Sequence, residues 1–128
     1  MAHEILQLKS VHGTKDRGYS HVAKAGKTLY IAGQVARDIG GNLVGKGDFE
    51  LRLARSIPTE KQLQETGGGL KNIVKTTAIL THYDNLESYL KIRDKFSGDI
   101  MPPNTLQISE SLVSPDFMIE IEAIAVLD

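Results

Sequence analysis

The nine residues Met118-Ile119-Glu120-Ile121-Glu122-Ala123-Ile124-Ala125-Val126 constrain this chain more than any other stretch. Successive side chains of a strand point to opposite faces. Ile119, Ile121, Ala123 and Ala125 therefore share one face, and Glu120 and Glu122 lie on the other beside Met118, Ile124 and Val126. A solvated sheet face would carry more polar residues than that. The segment is expected to be a strand covered on one face by the domain's own elements and partly covered on the other, with another subunit as one source of cover. A carboxylate in such a place must be paired, hydrogen-bonded or shifted in pKa. Structural ion pairing and catalysis are the two readings this leaves for Glu120 and Glu122.

The rest of the chain sets what can surround that strand. At 128 residues and 14.0 kDa there is room for one domain, spanning residues 1–128. Hydrophobic residues at 41% suffice for a core, and a formal charge of −1 gives no global attraction to nucleic acid or anionic lipid. The absence of cysteine excludes disulfides, thiol nucleophiles and Cys-based zinc sites. The opening Met1-Ala2-His3-Glu4-Ile5-Leu6-Gln7-Leu8 is too short and polar for a secretory signal, and no apolar run approaches the ~20 residues of a membrane span. A soluble, cytoplasmic protein without membrane contact is expected.

Glu4 to Lys9 is a loosely alternating opening strand candidate, followed by a short strand at Ser20 to Ala23 and a turn at Lys24-Ala25-Gly26-Lys27. Thr28 to Ala36 is a clear strand, with Leu29, Ile31, Gly33 and Val35 on one face and Thr28, Tyr30, Ala32 and Gln34 on the other. Asp38-Ile39-Gly40-Gly41-Asn42 has strong turn chemistry. Asp48 is a plausible helix N-cap ahead of the stripe Phe49, Leu53, Ile57, and Pro58 should kink or restart that helix. Leu63 resumes the pattern out of phase, and Gly67-Gly68-Gly69 ends it. Asn72 to Thr81 reads as a β-branched strand. Asp84 with Glu87 resembles a capping box for a second helix whose core face is Leu86, Tyr89, Leu90, Arg93 and Phe96, stopped by Gly98. Thr105 to Val113 and Phe117 to Leu127 complete an order written β-β-α-β-α-β-β. The class is α+β, a mixed sheet with two helices on one face.

Other constellations read as structural. His3, His12, His21 and His82 show no metal-ligand spacing, so surface or satisfied histidines and no metal are expected. Gly67-Gly68-Gly69 runs from helix to strand, the reverse of a phosphate-cradling loop. Lys24, Lys27, Lys71, Lys75, Lys91, Arg93 and Lys95 are dispersed among acids, and aromatics make up only 5%, so nucleic-acid binding is disfavoured.

Several short motifs, taken in order, resemble the RidA/YjgF family, also called endoribonuclease L-PSP. They are Gly18-Tyr19, Leu29-Tyr30-Ile31-Ala32-Gly33-Gln34, Gly45-Lys46-Gly47-Asp48-Phe49-Glu50, Asn72-Ile73-Val74-Lys75-Thr76-Thr77, Pro102-Pro103-Asn104-Thr105 and Ile119 to Val126. The resemblance implies a chorismate-mutase-like fold and a homotrimer whose sheets line a central barrel, with clefts between subunits. It implies cofactor-free hydrolysis of reactive 2-imino acids and their enamine tautomers to keto acids and ammonia. Carried over by position, the water-holding glutamate is Glu120, and the pocket is shaped by Tyr19, Ala32, Gly33 and Leu106. The family's carboxylate-clamping arginine falls on Asn104. An asparagine amide offers neutral hydrogen bonds where a guanidinium makes a bidentate, charge-assisted clamp. That marks an arginine-lacking member, whose ligand carries an imine or carbonyl group and need not carry a carboxylate. A non-catalytic metabolite-binding trimer is the alternative reading, and an endoribonuclease or translation inhibitor a third.

Overall fold

The computed structural model describes residues 2–57 and 59–128, with every side chain except those of Phe96 and Ser97. Six strands form one sheet: β1 (Glu4–Leu6), β2 (Val22–Ala25), β3 (Thr28–Gln34), β4 (Ile73–Leu80), β5 (Asn104–Ile108) and β6 (Ile119–Val126). Their spatial order is β1-β2-β3-β6-β4-β5, with β4 and β5 parallel and the other neighbours antiparallel. The expected glutamate-bearing strand is thus interior, held between β3 and β4. Three strands, not two, precede the first helix, because the weak opening segment pairs with β2.

The first expected helix occurs as α1 (Phe49–Ser56) and α2 (Glu60–Gln64). The kink or restart assigned to Pro58 lies outside the described residues. Asp48 caps α1 as expected, Oδ1 accepting from the Leu51 amide at 3.1 Å. Thr59 and Gln62 form a reciprocal capping box on α2. Gly67, at φ 88°, takes the left-handed position after α2, while the Gly68 and Gly67 amides donate to the carbonyls of Leu63 and Gln64. This is the paired bonding of a Schellman close, so the glycine run is a helix terminator. The third helix, α3 (Leu86–Ser97), follows a 3-10 turn at Tyr83–Asn85 and has no side-chain cap. The Asp84–Glu87 capping box expected from spacing is therefore absent. Asp84 lies within the 3-10 turn, where its backbone is already committed.

All three helices pack on one sheet face. Leu63 joins Val22, Leu29, Ile31, Ala123 and Ala125, while Leu53 and Tyr89 join Ala78, Leu80, Ile119 and Ile121. The phase shift between Leu53 and Leu63 is the step from one cluster to the other. Leu29, Leu53, Leu63, Leu80 and Ile119 are fully buried, each worth about 1.5–3 kcal/mol relative to exposure. Arg52, expected on no core face, is also buried. Its guanidinium donates to the carbonyls of Gly45 (2.9 Å) and Asp116, tying two loops to α1.

The other sheet face is open in the single chain. Ile5, Tyr30 and Val126 stand on it exposed, with Ile124 between them. Among the described residues, no helix is long and apolar enough to cross a membrane.

Candidate active site on the open sheet face

The alternation expected for the terminal strand is observed. Ile119, Ile121, Ala123 and Ala125 are buried under the helices, and Glu120 and Glu122 point to the open face. Strand β3 does not keep its expected alternation. Between Ile31, opposite Ala123, and Gln34, opposite Ile121, three residues of β3 span two of β6. That bulge reverses the parity, so Gln34 is buried rather than sharing the open face with Tyr30. Its side-chain amide donates to the Ala32 carbonyl at 2.8 Å, satisfying a group the bulge leaves off the ladder.

The bulge brings Gly33 against Glu120. A β-carbon built on Gly33 would lie 2.0 Å from Glu120 Oε1 and 2.7 Å from Cδ. Only a glycine leaves the carboxyl its place. Glu120 is half-buried and makes no hydrogen bond or ion pair with any described residue. Burial, and then the charge of Glu122, hold its pKa above the ordinary glutamate range. Such a carboxyl retains lone pairs for a water or ligand and the basicity to take a proton. Glu122, more exposed, lines a shallow depression of about 400 Å³ with Ile5, Ser20, Tyr30 and Ala32.

Register decides which other expected residues can join. Paired residues of neighbouring strands share a face, and Ile79 of β4 stands opposite both Glu120 and Gln107. Thr77 likewise stands opposite Glu122 and Thr105. Thr105 and Gln107 therefore lie on the glutamate face, and Asn104 and Leu106 on the helix face. Leu106 packs into the core cluster around Tyr89. Asn104 donates to Thr76 Oγ1 at 2.9 Å, and its Oδ1 lies 3.5 Å from the Tyr89 hydroxyl. It lines a separate recess beside Arg93 and Met101. Within the single chain the structure thus unites Glu120, Glu122, Ala32 and Gly33, and sets Asn104 and Leu106 on the other face of the sheet. Tyr19 is exposed on the loop before β2, where its carbonyl accepts from the Thr14 hydroxyl at 2.7 Å.

Lys75, read from the sequence only as one of the dispersed basic residues, lies on this face. It stands opposite Ile124 and donates to Thr105 Oγ1 at 2.6 Å. Among the described residues, no strand contains an arginine. The signal for Thr105 was present in Asn104-Thr105-Leu106-Gln107-Ile108: alternation sets Asn104 with Leu106 and Ile108, away from the polar pair. The histidines supply no competing site. Buried His21 accepts from the Leu8 amide at Nδ1 and bonds the His12 carbonyl through Nε2, both at 2.8 Å, so both ring nitrogens are spent on holding the fold. Among the described residues, no three His, Asp or Glu side chains converge as metal ligands.

A mixed sheet with helices on one face and an unspent glutamate beside a bulge glycine on the other defines a class of small α+β proteins. The chain belongs to the endoribonuclease L-PSP (RidA/YjgF) family, whose model matches residues 14–127. A RutC family protein of Pyrococcus abyssi is 30% identical over 108 residues, covering 84% of each chain. Another, from Synechocystis, is 29% identical over 112 residues, covering 85% of each. A Rid-family protein of unknown function from Yersinia pestis superposes with a TM-score of 0.85 at 27% identity, over 98% of this chain and all of that one. The YjgF gene product of E. coli shares the fold with a TM-score of 0.86 at 19% identity, over 98% and 99% of the two chains.

Proposed function

We propose that the protein hydrolyses a small reactive imine, or its enamine tautomer, to a carbonyl compound and ammonia without a cofactor. The observation that carries this reading is Glu120: half-buried, raised in pKa, unpartnered among the described residues, and given its space by Gly33. Ionised Glu120 accepts a proton from water as the oxygen attacks the C=N carbon, and returns it to the nitrogen. The carbinolamine then passes its hydroxyl proton, again by way of the Glu120 carboxylate, to the amino nitrogen; the C–N bond breaks, ammonia leaves, and the carbonyl oxygen is the one derived from water. A basicity above that of an ordinary carboxylate favours the first transfer, from water, and the basic amine nitrogen accepts readily in the second.

The cleft is completed by further copies of the chain, as a homotrimer. Exposed Ile5, Tyr30 and Val126, on the same sheet face as Glu120, favour a self-covering face. Light scattering should give about three times 14.0 kDa. The substrate range departs from carboxylate-bearing imines, because among the described residues no strand carries an arginine and Lys75, already bonded to Thr105, offers one point charge instead of a fork. That same feature favours the second reading, a trimer that binds a carbonyl metabolite without turning it over.

The test is ammonia release from carboxylate-free imines generated in place by an amine oxidase, with 2-imino acids from an amino-acid oxidase as the comparison, each with and without the protein. Turnover should fall about 10²-fold or more in Glu120→Gln with mass and cooperative unfolding retained. Ligand binding without ammonia release would establish the second reading. Full turnover in Glu120→Gln would remove the carboxyl from the mechanism.

A further inference from the structure

On the opposite side of the sheet, a cavity of about 260 Å³ opens between the Ser10–His12 loop, the segment after β3, the end of α1 and α2. Its charge is one-sided. Arg37, Arg55 and Lys61 line it, against the single carboxylate of Asp38. Asp38 is occupied: Oδ1 accepts from the Asn42 amide and Oδ2 from the Asn42 side chain. These bonds hold its pKa below the ordinary aspartate range, so it remains a committed anion. The nearby Glu65 carboxylate is likewise taken, by the amides of Lys9 (2.6 Å) and Ser10 (2.9 Å).

Among the described residues, none of the three cations donates to a protein acceptor or forms an ion pair. Arg37 is nonetheless held in place, its guanidinium 4.9 Å from the centroid of the Phe117 ring, which leaves its N–H edge free. His12 also lines the cavity. It is 8% exposed, and its Nε2 is shielded from water with no hydrogen-bond partner. A buried polar atom without a partner costs stability unless something meets it. Burial, then Arg37 and Arg17, lower the His12 pKa, which leaves the ring neutral beside the cations.

We infer that this cavity binds a small dianion of the phosphate class, either inorganic phosphate or the phosphate of a small ester, through Arg37, Arg55 and Lys61 beside His12. Three lining cations face one committed carboxylate, and the Glu65 carboxylate near Lys61 still leaves the surroundings net positive, which suits a phosphate anion. Arginine forks suit its tetrahedral oxygens. The site lies on the helix side and does not depend on the reading of Glu120.

The experiment is calorimetric titration of the intact protein with inorganic phosphate and with glycerol phosphate, ionic strength held constant with chloride. One saturable site per chain is expected, and the tighter of the two ligands identifies the source. Affinity should fall about tenfold or more in Arg55→Gln, an exposed helix position where folding is safe, and in Arg37→Gln. Lys91→Gln, on α3, should bind as the parent does. The His12 ring resonances should shift on phosphate addition. Absence of saturation, an equal loss in Lys91→Gln, an unmoved His12, or succinate binding as tightly as phosphate would each overturn the assignment. RNA binding lost in the same variants, with no response to either phosphate, would overturn it in favour of a nucleic-acid surface.

Discussion

Gly33→Ala separates a site glycine from a merely tolerated one. The backbone at Gly33 is not in the left-handed region, so alanine meets no conformational penalty there. The cost is steric. An added β-carbon would sit 2.0 Å from Glu120 Oε1, where real contacts stay beyond 3.0 Å, so the carboxyl must retreat by at least about 1 Å. The clashing oxygen is the far end of a flexible side chain, and the fold should survive with a loss of about 1–2 kcal/mol. Function should not survive so well, because a 1 Å misplacement of a reacting group can cost about 10²-fold. Ammonia release reads the activity and thermal denaturation the stability, with the alanine placed in both the parent and a Glu120→Ala background. In the second background the clash is gone, and Gly33→Ala should be nearly neutral, giving a coupling energy of about 1 kcal/mol or more. Two results would refute the reasoning: undiminished turnover in Gly33→Ala, or the same stability loss in both backgrounds.

Three further perturbations test the faces and the titration. Asn104→Ala removes the bonds to Thr76 and Tyr89 and should cost about 1–2 kcal/mol by denaturant unfolding while leaving turnover intact. Thr105→Arg, on the glutamate face, should instead raise clearance of carboxylate-bearing imines by about tenfold. Glu120→Gln should also report on pH. The raised pKa means the folded chain holds this proton more tightly than the unfolded chain, so ionised Glu120 costs stability once pH exceeds the unfolded value. Glutamine should stabilise the fold at pH 7 by at most about 1 kcal/mol, since water still reaches half the side chain. That gain should vanish below about pH 4, as melting curves across pH would show.

What was legible in the sequence follows from how far each signal reaches along the chain. The alternation of Ile119 to Val126, the Asp48 cap and the glycine terminator after α2 are local, each set by residues within one turn or pleat of one another, and all three are observed. The Asp84–Glu87 spacing was equally local but lost to the 3-10 turn that sets the entry to α3. Contacts across strands were legible only in part. A bulge changes parity without changing composition, so nothing in Ala32-Gly33-Gln34 announces that Gln34 turns inward and that Gly33 meets Glu120. The same one-residue arithmetic governs the family's arginine position. Matching the proline-led motif places it on Asn104, whereas the pairing of β5 through β4 with β6 places Thr105 on the glutamate face. Motif order tolerates a shift of one residue. A pleated sheet does not, because that shift carries every side chain to the opposite face. Within the single chain, register therefore sets Thr105, beside the ammonium of Lys75, on the face of Glu120, and sets Asn104 on the other.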